Sequence, residues 1–320
     1  MRQLKSFLKV LIPLAIGVFF IYLTISATSE EERRLIISYI KNADFRFIFL
    51  SALFGILSHL SRAYRWKFLL APMGYKPRFI NSALAVLIAY MANLGIPRSG
   101  EILRATTLSS YEKIPFEKSF GTIIAERLVD LIFLSSFILL ALSLQYDLIW
   151  EVFKEKQISP SSLIISVAIT IIIFIILRSL FKKNYSRPII KIKTFFKGLA
   201  EGILSFKSMS NKGAFVFHTI FIWVMYIAMF YVIKWTVPET ESLGLDSLLP
   251  AFVIGGITIS ATNGGIGIYP FSVALMLSAF GISNESGLAF GWIVWTSQTL
   301  VIIIFGSLSF FMLPLVNRKN

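Results

Sequence analysis

The sequence predicts an all-α membrane protein with six spanning helices and two re-entrant helical hairpins. Of its 320 residues, 56% are hydrophobic and only 15% are charged, whereas soluble domains carry about 25% charged residues. Apolar runs of about 20 residues, long enough to cross a bilayer, recur along the chain. The basic residues between these runs are consistent with one membrane topology. We therefore expect residues 1–320 to form a single integral membrane domain.

The composition also excludes several kinds of site. The chain has no cysteine, which excludes disulfides, thiolate metal ligands and cysteine nucleophiles. Its two histidines both lie in apolar stretches, so we expect no metal site and no cofactor. The net charge of +14 could indicate a nucleic-acid binder, but we expect no soluble domain that would present such a surface. The excess of positive charge is better explained by membrane topology, because lysine and arginine are enriched in cytoplasmic loops.

Two of the apolar runs are interrupted. One ends at Gly95-Ile96-Pro97, and another is broken by the stretch from Asn263 to Pro270. The first run follows three basic residues but is too long for a signal peptide. The first apolar run begins after Lys9 and ends at Ala27; the others are, in order, 46–64, 79–96, 119–144, 159–181, 214–236, 248–282 and 286–313.

The basic residues decide how many runs cross the membrane. If every run crosses once, the nine basic residues of 178–212 lie outside, against the preference of lysine and arginine for the cytoplasm. If 79–111 is a hairpin entering from the cytoplasm and 248–282 one entering from outside, inner segments hold 23 basic and 4 acidic residues. Outer segments then hold 6 basic and 11 acidic residues. The sequence therefore predicts a multi-pass protein of the bacterial inner membrane with both termini in the cytoplasm.

The order of these elements is repeated. Residues 1–144 read span, span, hairpin, span, and 158–313 repeat that order from the opposite side, as in transporters with inverted repeats. Both hairpin turns read N-x-G-I, at Asn93 and at Asn263. Between the halves, the basic segment 182–213 contains an amphipathic pattern typical of a helix on the cytoplasmic leaflet. An ordinary basic loop is the alternative.

Charged residues within the apolar region form a second signal, because they are costly in a membrane and usually pair or serve a pathway. Glu126 and Asp130 share one helix face near the midplane and need a basic partner. We expect Arg98 or Arg104 to supply it, and specifically a network of Arg98 with one of the two acids. The alternative is an ion-pair network that only holds the helices together. The three charged groups are Arg62 and Arg65; Arg98, Glu101 and Arg104; and Glu126, Arg127 and Asp130.

The hairpin turns suggest how an anion could be held. Asn93 and Gly95 permit the first turn, and Pro97 suits the first position of the returning helix. The free N–H groups of that helix start, together with Arg98, would attract phosphate. The second turn would give a similar helix start without a charged side chain, or would serve only close packing. Its residues are Asn263, Gly264, Gly265 and Gly267.

These motifs resemble the lysylphosphatidylglycerol synthase transmembrane region, a flippase-like membrane family, over about residues 45–313. The most specific match is N-L-G-I-P-R-S-G-E-I-L-R at 93–104, with Gly100 and Glu101 as its central pair. Asn263 stands where the family usually has proline, and Pro270 near where an acid commonly follows. The other matching elements are R-x-x-R-W at 62–66, E-R-x-x-D at 126–130 and G-G-I-G at 264–267.

The resemblance implies lipid translocation and not lipid synthesis, because nearly all 320 residues are expected in the membrane and leave no soluble aminoacyl-transferase domain. We expect the protein to move a phosphate-bearing, anionic lipid or lipid-linked headgroup between leaflets. An intramembrane lipid- or glycan-modifying enzyme, or an accessory subunit without a ligand, are the alternatives. The sequence shows neither an acidic metal cluster nor a nucleophile and base pair, so we do not expect an enzyme. The residues expected to bind substrate are Arg62, Arg65, Asn93, Pro97, Arg98, Gly100, Glu101, Arg104, Glu126, Arg127, Asp130, Asn263, Gly264, Gly265 and Gly267.

Overall fold

A computed structural model describes residues 29–96, 98–146, 189–262 and 264–318. Two predicted spans, the first apolar run up to Ala27 and 159–181, lie outside the described residues, as do Pro97 and Asn263. The part that is described contains α- and 3-10 helices and no strand, so the predicted all-α class is confirmed. The α-helices are α1 Glu30–Lys41, α2 Phe45–Leu70, α3 Phe79–Gly95, α4 Ser99–Glu112, α5 Phe116–Leu144, α6 Ile189–Ser208, α7 Lys212–Tyr231, α8 Leu245–Ala261, α9 Ile268–Ser278 and α10 Asn284–Val316.

Four of these helices are long and apolar enough to cross a membrane. They are α2 and α7 with their short 3-10 extensions, α5, and α10, and they coincide with the four predicted spans that fall within the described residues. The outer face of α5 is an apolar stripe, with Leu131, Ile132 and Leu139 exposed by 57%, 64% and 67%. Side chains of this kind are suited to contact with acyl chains. The protein is therefore a multi-pass helical membrane protein.

Helix α2 extends further than its apolar run predicts. The predicted span ended at residue 64, where arginines appear, but the helix continues to Leu70 and ends before Gly74, which has a φ of +85°. The added turns are buried because Arg65 finds partners inside the bundle. At the other end, Asp44 caps the helix by accepting a 2.9 Å hydrogen bond from the Arg46 amide. The hydrogen bond and charge of the Arg46 side chain hold the pKa of Asp44 below its usual value.

Both predicted helix breaks are present. Helices α3 and α4 pack against each other, as do α8 and α9, and we name these pairs hairpin one and hairpin two. Gly264, Gly265 and Gly267 have φ values between +68° and +76°, which glycine adopts without a steric cost. The two turns meet, because a Cβ on Gly264 would lie 2.9 Å from the side chain of Leu94. Trp295 of α10 donates a 2.7 Å hydrogen bond to the Gly264 carbonyl, which ties the tip of hairpin two to a spanning helix.

Helix α1 was not predicted, since its residues were assigned to an outer loop. Ile36 of this helix is 8% exposed and packs into the largest apolar core. That core is formed mainly by α8, α9, α10 and the end of α7, and it includes Phe230, Tyr269 and Phe290. Charged residues on the rest of α1 concealed its single buried face in the sequence.

Helix α6 packs on α5 through small residues. Among its residues with described side chains, Gly198, Gly202 and Ser205 are buried, whereas Leu199 is only half-buried. Lys118 of α5 pairs with Glu201 at 3.1 Å beside this contact. The helix was correctly predicted, and among its residues with described side chains the small ones make the contact with α5. Glycines allow two backbones to approach closely, which favours helix pairing in membranes.

Gly202→Leu is therefore expected to lower the free energy of unfolding in mild detergent by roughly 1 to 3 kcal/mol, the usual cost of overpacking. A Cβ at this position would lie 2.8 Å from backbone atoms of Gly121 and Thr122, so α6 would have to separate from α5. Gly213→Leu is the control, because nothing lies within 4 Å of a Cβ there. Equal stability of the two variants in denaturant titration would contradict the packing.

Candidate functional site

Five charged side chains are buried together between α2, α4 and α5. We call Arg62, Arg65, Arg104, Glu126 and Asp130 the buried charge cluster, and each is at most 9% exposed. Its bonds form a chain through the bundle. Arg62 donates to Asp130 at 2.6 Å, Arg65 bridges Asp130 at 3.1 Å and Glu126 at 3.6 Å, and Arg104 donates to Glu126 at 2.6 Å.

Helical spacing explains how three elements supply this cluster. Arg62 and Arg65 are three residues apart on α2, and Glu126 and Asp130 are four apart on α5, so each pair shares a helix face. Hairpin one brings Arg104 of α4 to the other side of Glu126. The prediction that Glu126 and Asp130 require basic partners from another element is confirmed. The ion pairs therefore connect α2, α4 and α5 to one another.

Aromatic and hydroxyl side chains hold the arginines in place. Trp66 is fully buried, donates to the Thr122 hydroxyl at 2.7 Å, and stacks on Arg104, whose guanidinium carbon is 3.7 Å from the ring centre. Arg65 donates to the Thr219 hydroxyl at 2.9 Å. The threonines were missed by the sequence reasoning, because a hydroxyl at a helix interface has no distinctive pattern.

Two tyrosines complete the polar region on the side of α7. The hydroxyls of Tyr90 and Tyr226 are 2.9 Å apart, and Arg62 contacts Tyr226 at 3.5 Å. His59 packs against Tyr90 with ring centres 4.2 Å apart. The two tyrosines were also missed as site candidates. They connect hairpin one to α7 through the same arginine that pairs with Asp130.

A small cavity adjoins the cluster. Its walls include Arg62, Tyr90, Asn93, Glu101, Arg104 and Arg127. It holds about one water molecule, so a larger ligand requires the surrounding helices to move apart. Asn93, Glu101 and Arg104, which the sequence predicted as binding residues, all belong to hairpin one and line this cavity.

Several buried polar atoms at this cavity have no hydrogen-bond partner among the described residues. They are Nε and Nη2 of Arg104, Nε of Arg62 and Oε2 of Glu101. An unpaired buried donor is costly, and most buried polar groups are paired with protein or water. Unpaired N–H groups on two buried arginines are the arrangement expected of a site that receives an anion.

The cavity is closed on one side by a more exposed ion pair. Arg127 of α5 donates to Glu101 of α4 at 2.8 Å, with the two side chains exposed by 46% and 20%. This pair joins the returning arm of hairpin one to the neighbouring spanning helix. We call it the rim pair. Separation of the rim pair would open the cavity sideways, between α4 and α5.

Arg98 is not part of the cluster, and its predicted pairing with Glu126 or Asp130 is wrong. Helix α4 begins at Ser99, so Arg98 occupies the preceding turn with a φ of +62° and is exposed. The carboxylates pair instead with arginines that lie deeper in the bundle. The sequence could not decide which arginine pairs with the carboxylates, because Arg98 and Arg104 are both compatible with the helix spacing.

The other predicted residues divide between two places. Asn93 accepts a 2.8 Å hydrogen bond from the Gly100 amide, and a side chain on Gly100 would meet the Ala89 carbonyl, so these residues close hairpin one. The glycines of hairpin two lie at its tip and do not line the cavity of the cluster. Their part in substrate binding stays a prediction. Pro97 and Asn263 lie outside the described residues.

Comparison with known proteins agrees with the resemblance in the motifs. The chain is 25% identical over 277 residues to the UPF0104 membrane protein MJ1595 of Methanocaldococcus jannaschii, an alignment that covers 77% of this chain and 79% of that protein. Residues 10–306 match the family described as lysylphosphatidylglycerol synthase TM region. With nearly its whole length matched, the chain belongs to the lysylphosphatidylglycerol synthase TM region family.

Proposed function

We propose that the protein binds the phosphate of a membrane lipid at the buried charge cluster and carries the headgroup between leaflets. The observation that carries this is the pair of unpartnered N–H groups on Arg104, a residue 4% exposed at the wall of the cavity. A charged headgroup meets a large barrier in hydrocarbon. A site with fixed arginine donors lowers that barrier, while the acyl chains stay in the bilayer.

The broken helices support this proposal. The turns of hairpins one and two meet at Leu94 and Gly264, as expected where two inverted repeats converge on a midplane site. We propose that both hairpins are re-entrant, that the halves 1–144 and 158–313 form the repeat, and that both termini are cytoplasmic in a cell membrane of the bacterial inner-membrane type. Movement is downhill or coupled to protons, since the sequence contains no nucleotide-binding motif.

The transport test replaces Arg104 with Gln. Loss of a hydrogen bond to a charged group costs about 1.5 to 3 kcal/mol, or roughly 10- to 100-fold in affinity, so liposomes with Arg104→Gln are expected to exchange fluorescent phospholipid between leaflets at least tenfold more slowly. Arg318→Gln, at an exposed position near the C-terminus, is the matched control. Lipid that co-purifies in mild detergent is measured in parallel, since it does not depend on choosing the substrate.

Three results of that experiment are informative. Slower exchange and less bound lipid in a folded Arg104→Gln protein support a carrier. Normal exchange and normal lipid content in that variant leave the cluster as a structural network only. Covalent change of the lipid by the wild type would favour an enzyme.

The topology is tested with cysteine labelling, because the chain has no cysteine of its own. A cysteine at Lys113, an exposed position at the end of α4, is expected to resist an impermeant thiol reagent in intact cells and to react once the membrane is opened. An engineered cysteine at Glu241, on the segment expected outside, is the positive control. Labelling of position 113 in intact cells would refute the re-entrant form of hairpin one.

A further inference from the structure

The cavity region carries one uncompensated positive charge. The buried charge cluster has three guanidinium groups and two carboxylates, and the rim pair adds one of each. With histidine counted as neutral, one positive charge remains among these described residues. An uncompensated charge in a low-dielectric interior is strongly unfavourable. A ligand with a single negative charge would neutralise the region, whereas a ligand with two would reverse its sign.

The unpartnered donors have the geometry for two oxygen atoms. Nε and Nη2 form one edge of the Arg104 guanidinium, and both are buried without a partner among the described residues. Such an edge binds two oxygens of one group in parallel. A phosphodiester presents two non-bridging oxygens that share one negative charge. The Arg62 Nε, also unpartnered, is a third donor at the same cavity.

Glu101 opposes a second negative charge. One of its oxygens pairs with Arg127, while the other is buried at the cavity wall without a partner. Like charges that share a small buried site repel strongly. A monoester phosphate would bring a second charge close to this oxygen, but a diester would not.

We infer that the substrate of this site is a lipid with a monoanionic phosphodiester headgroup and not a phosphomonoester lipid, and that Glu101 is the residue that makes the distinction. The inference rests on the proposed function and names its substrate class. It follows from the charge of the described cavity and from the free edge of Arg104. Glu101 of the rim pair sets the selectivity between the two kinds of phosphate, and the arginines supply the affinity for the anion.

The test compares two lipids with identical acyl chains. Fluorescent phosphatidylglycerol and fluorescent phosphatidic acid are titrated onto the purified full-length protein in mild detergent at pH 8.5, where a phosphate monoester carries close to two charges because its second pKa is about 6. The wild type is expected to bind the diester at least ~10-fold more tightly, about one power of ten in the dissociation constant. Soluble glycerophosphoglycerol is added as competitor, to separate headgroup recognition from recognition of the whole lipid.

Glu101→Gln is expected to reduce that preference several-fold, mainly by tighter binding of the monoester. Glu241→Gln removes an exposed carboxylate that lies shortly before α8. It is expected to leave the ratio of the two dissociation constants unchanged. Equal or tighter binding of the monoester by the wild type would overturn the inference and leave the carrier proposal in place. A ratio unaffected by Glu101→Gln would overturn the role of Glu101. Binding of neither lipid would overturn both the inference and the proposed function.

Discussion

Asp130→Asn is expected to lower the free energy of unfolding by about 3 to 5 kcal/mol, the cost of leaving buried charge without its partner. Asp130 accepts from Arg62 at 2.6 Å and from Arg65 at 3.1 Å, so its neutralisation affects two buried arginines at once. The net charge of the cluster rises from one to two. Denaturant titration of the purified protein in mild detergent measures the loss.

A second substitution separates this charge effect from lost packing. Arg62→Met in the Asp130→Asn background restores the net charge of one and fills similar space, so the double variant is expected to regain at least ~1 kcal/mol relative to Asp130→Asn alone. Glu241→Gln, an exposed acid, serves as the control for loss of a carboxylate. If the two substitutions are additive within error, the ion pair does not contribute as the structure indicates.

The sequence was informative where a physical requirement acts on neighbouring residues. Helical spacing placed Glu126 and Asp130 on one face, and the low solubility of charge in hydrocarbon required basic partners for them. Proline and glycine located both helix breaks, since glycine tolerates a positive φ and proline cannot continue a helix. These predictions depend on residues that lie within a few turns of each other.

The choice of partner depended on contacts that are remote in sequence. Arg104 lies six residues after Arg98, about 9 Å along a helix, and only the start of α4 at Ser99 decides which arginine is buried. The same limitation explains why Tyr226 and Thr219 of α7 were missed. They are more than 150 residues from the arginines that they contact, and no local pattern connects them.

The end of α2 was misjudged for a related reason. Arg62 and Arg65 interrupt the apolar run, which suggested that the span ends near the membrane surface. Both are nevertheless 3% exposed or less, because Asp130 and Glu126 neutralise them within the bundle. A hydropathy average sums the values of single residues and therefore cannot include an ion pair between two helices. A hydropathy break caused by arginine is therefore a weak indicator of a span end when unpaired acids occur in another span.

Locking the rim pair is expected to abolish the lipid transport proposed above. Glu101 and Arg127 join α4 to α5 at the side of a cavity that holds only about one water molecule, so a headgroup can enter only if the two helices separate. In the Glu101→Cys/Arg127→Cys variant, a short, reducible bifunctional thiol reagent would hold them together. A direct disulfide is unsuitable, because it requires Cα atoms within about 7 Å and the two long side chains meet at their tips.

The cross-linked protein is expected to lose at least ~90% of the exchange measured before cross-linking, and to regain it when the reagent is cleaved by reductant. Domain or helix opening that admits a ligand is a common requirement for transport and catalysis at a closed site. The control applies the same chemistry to Glu30 and Arg34, an exposed ion pair within α1 at 3.7 Å. A cross-link there spans one helix turn and restrains no movement between helices. Exchange that continues at the original rate after complete cross-linking of 101 to 127 would show that headgroups reach the arginines by another route. The tips of the two hairpins, where Leu94 meets Gly264, would then be the next contact to restrain.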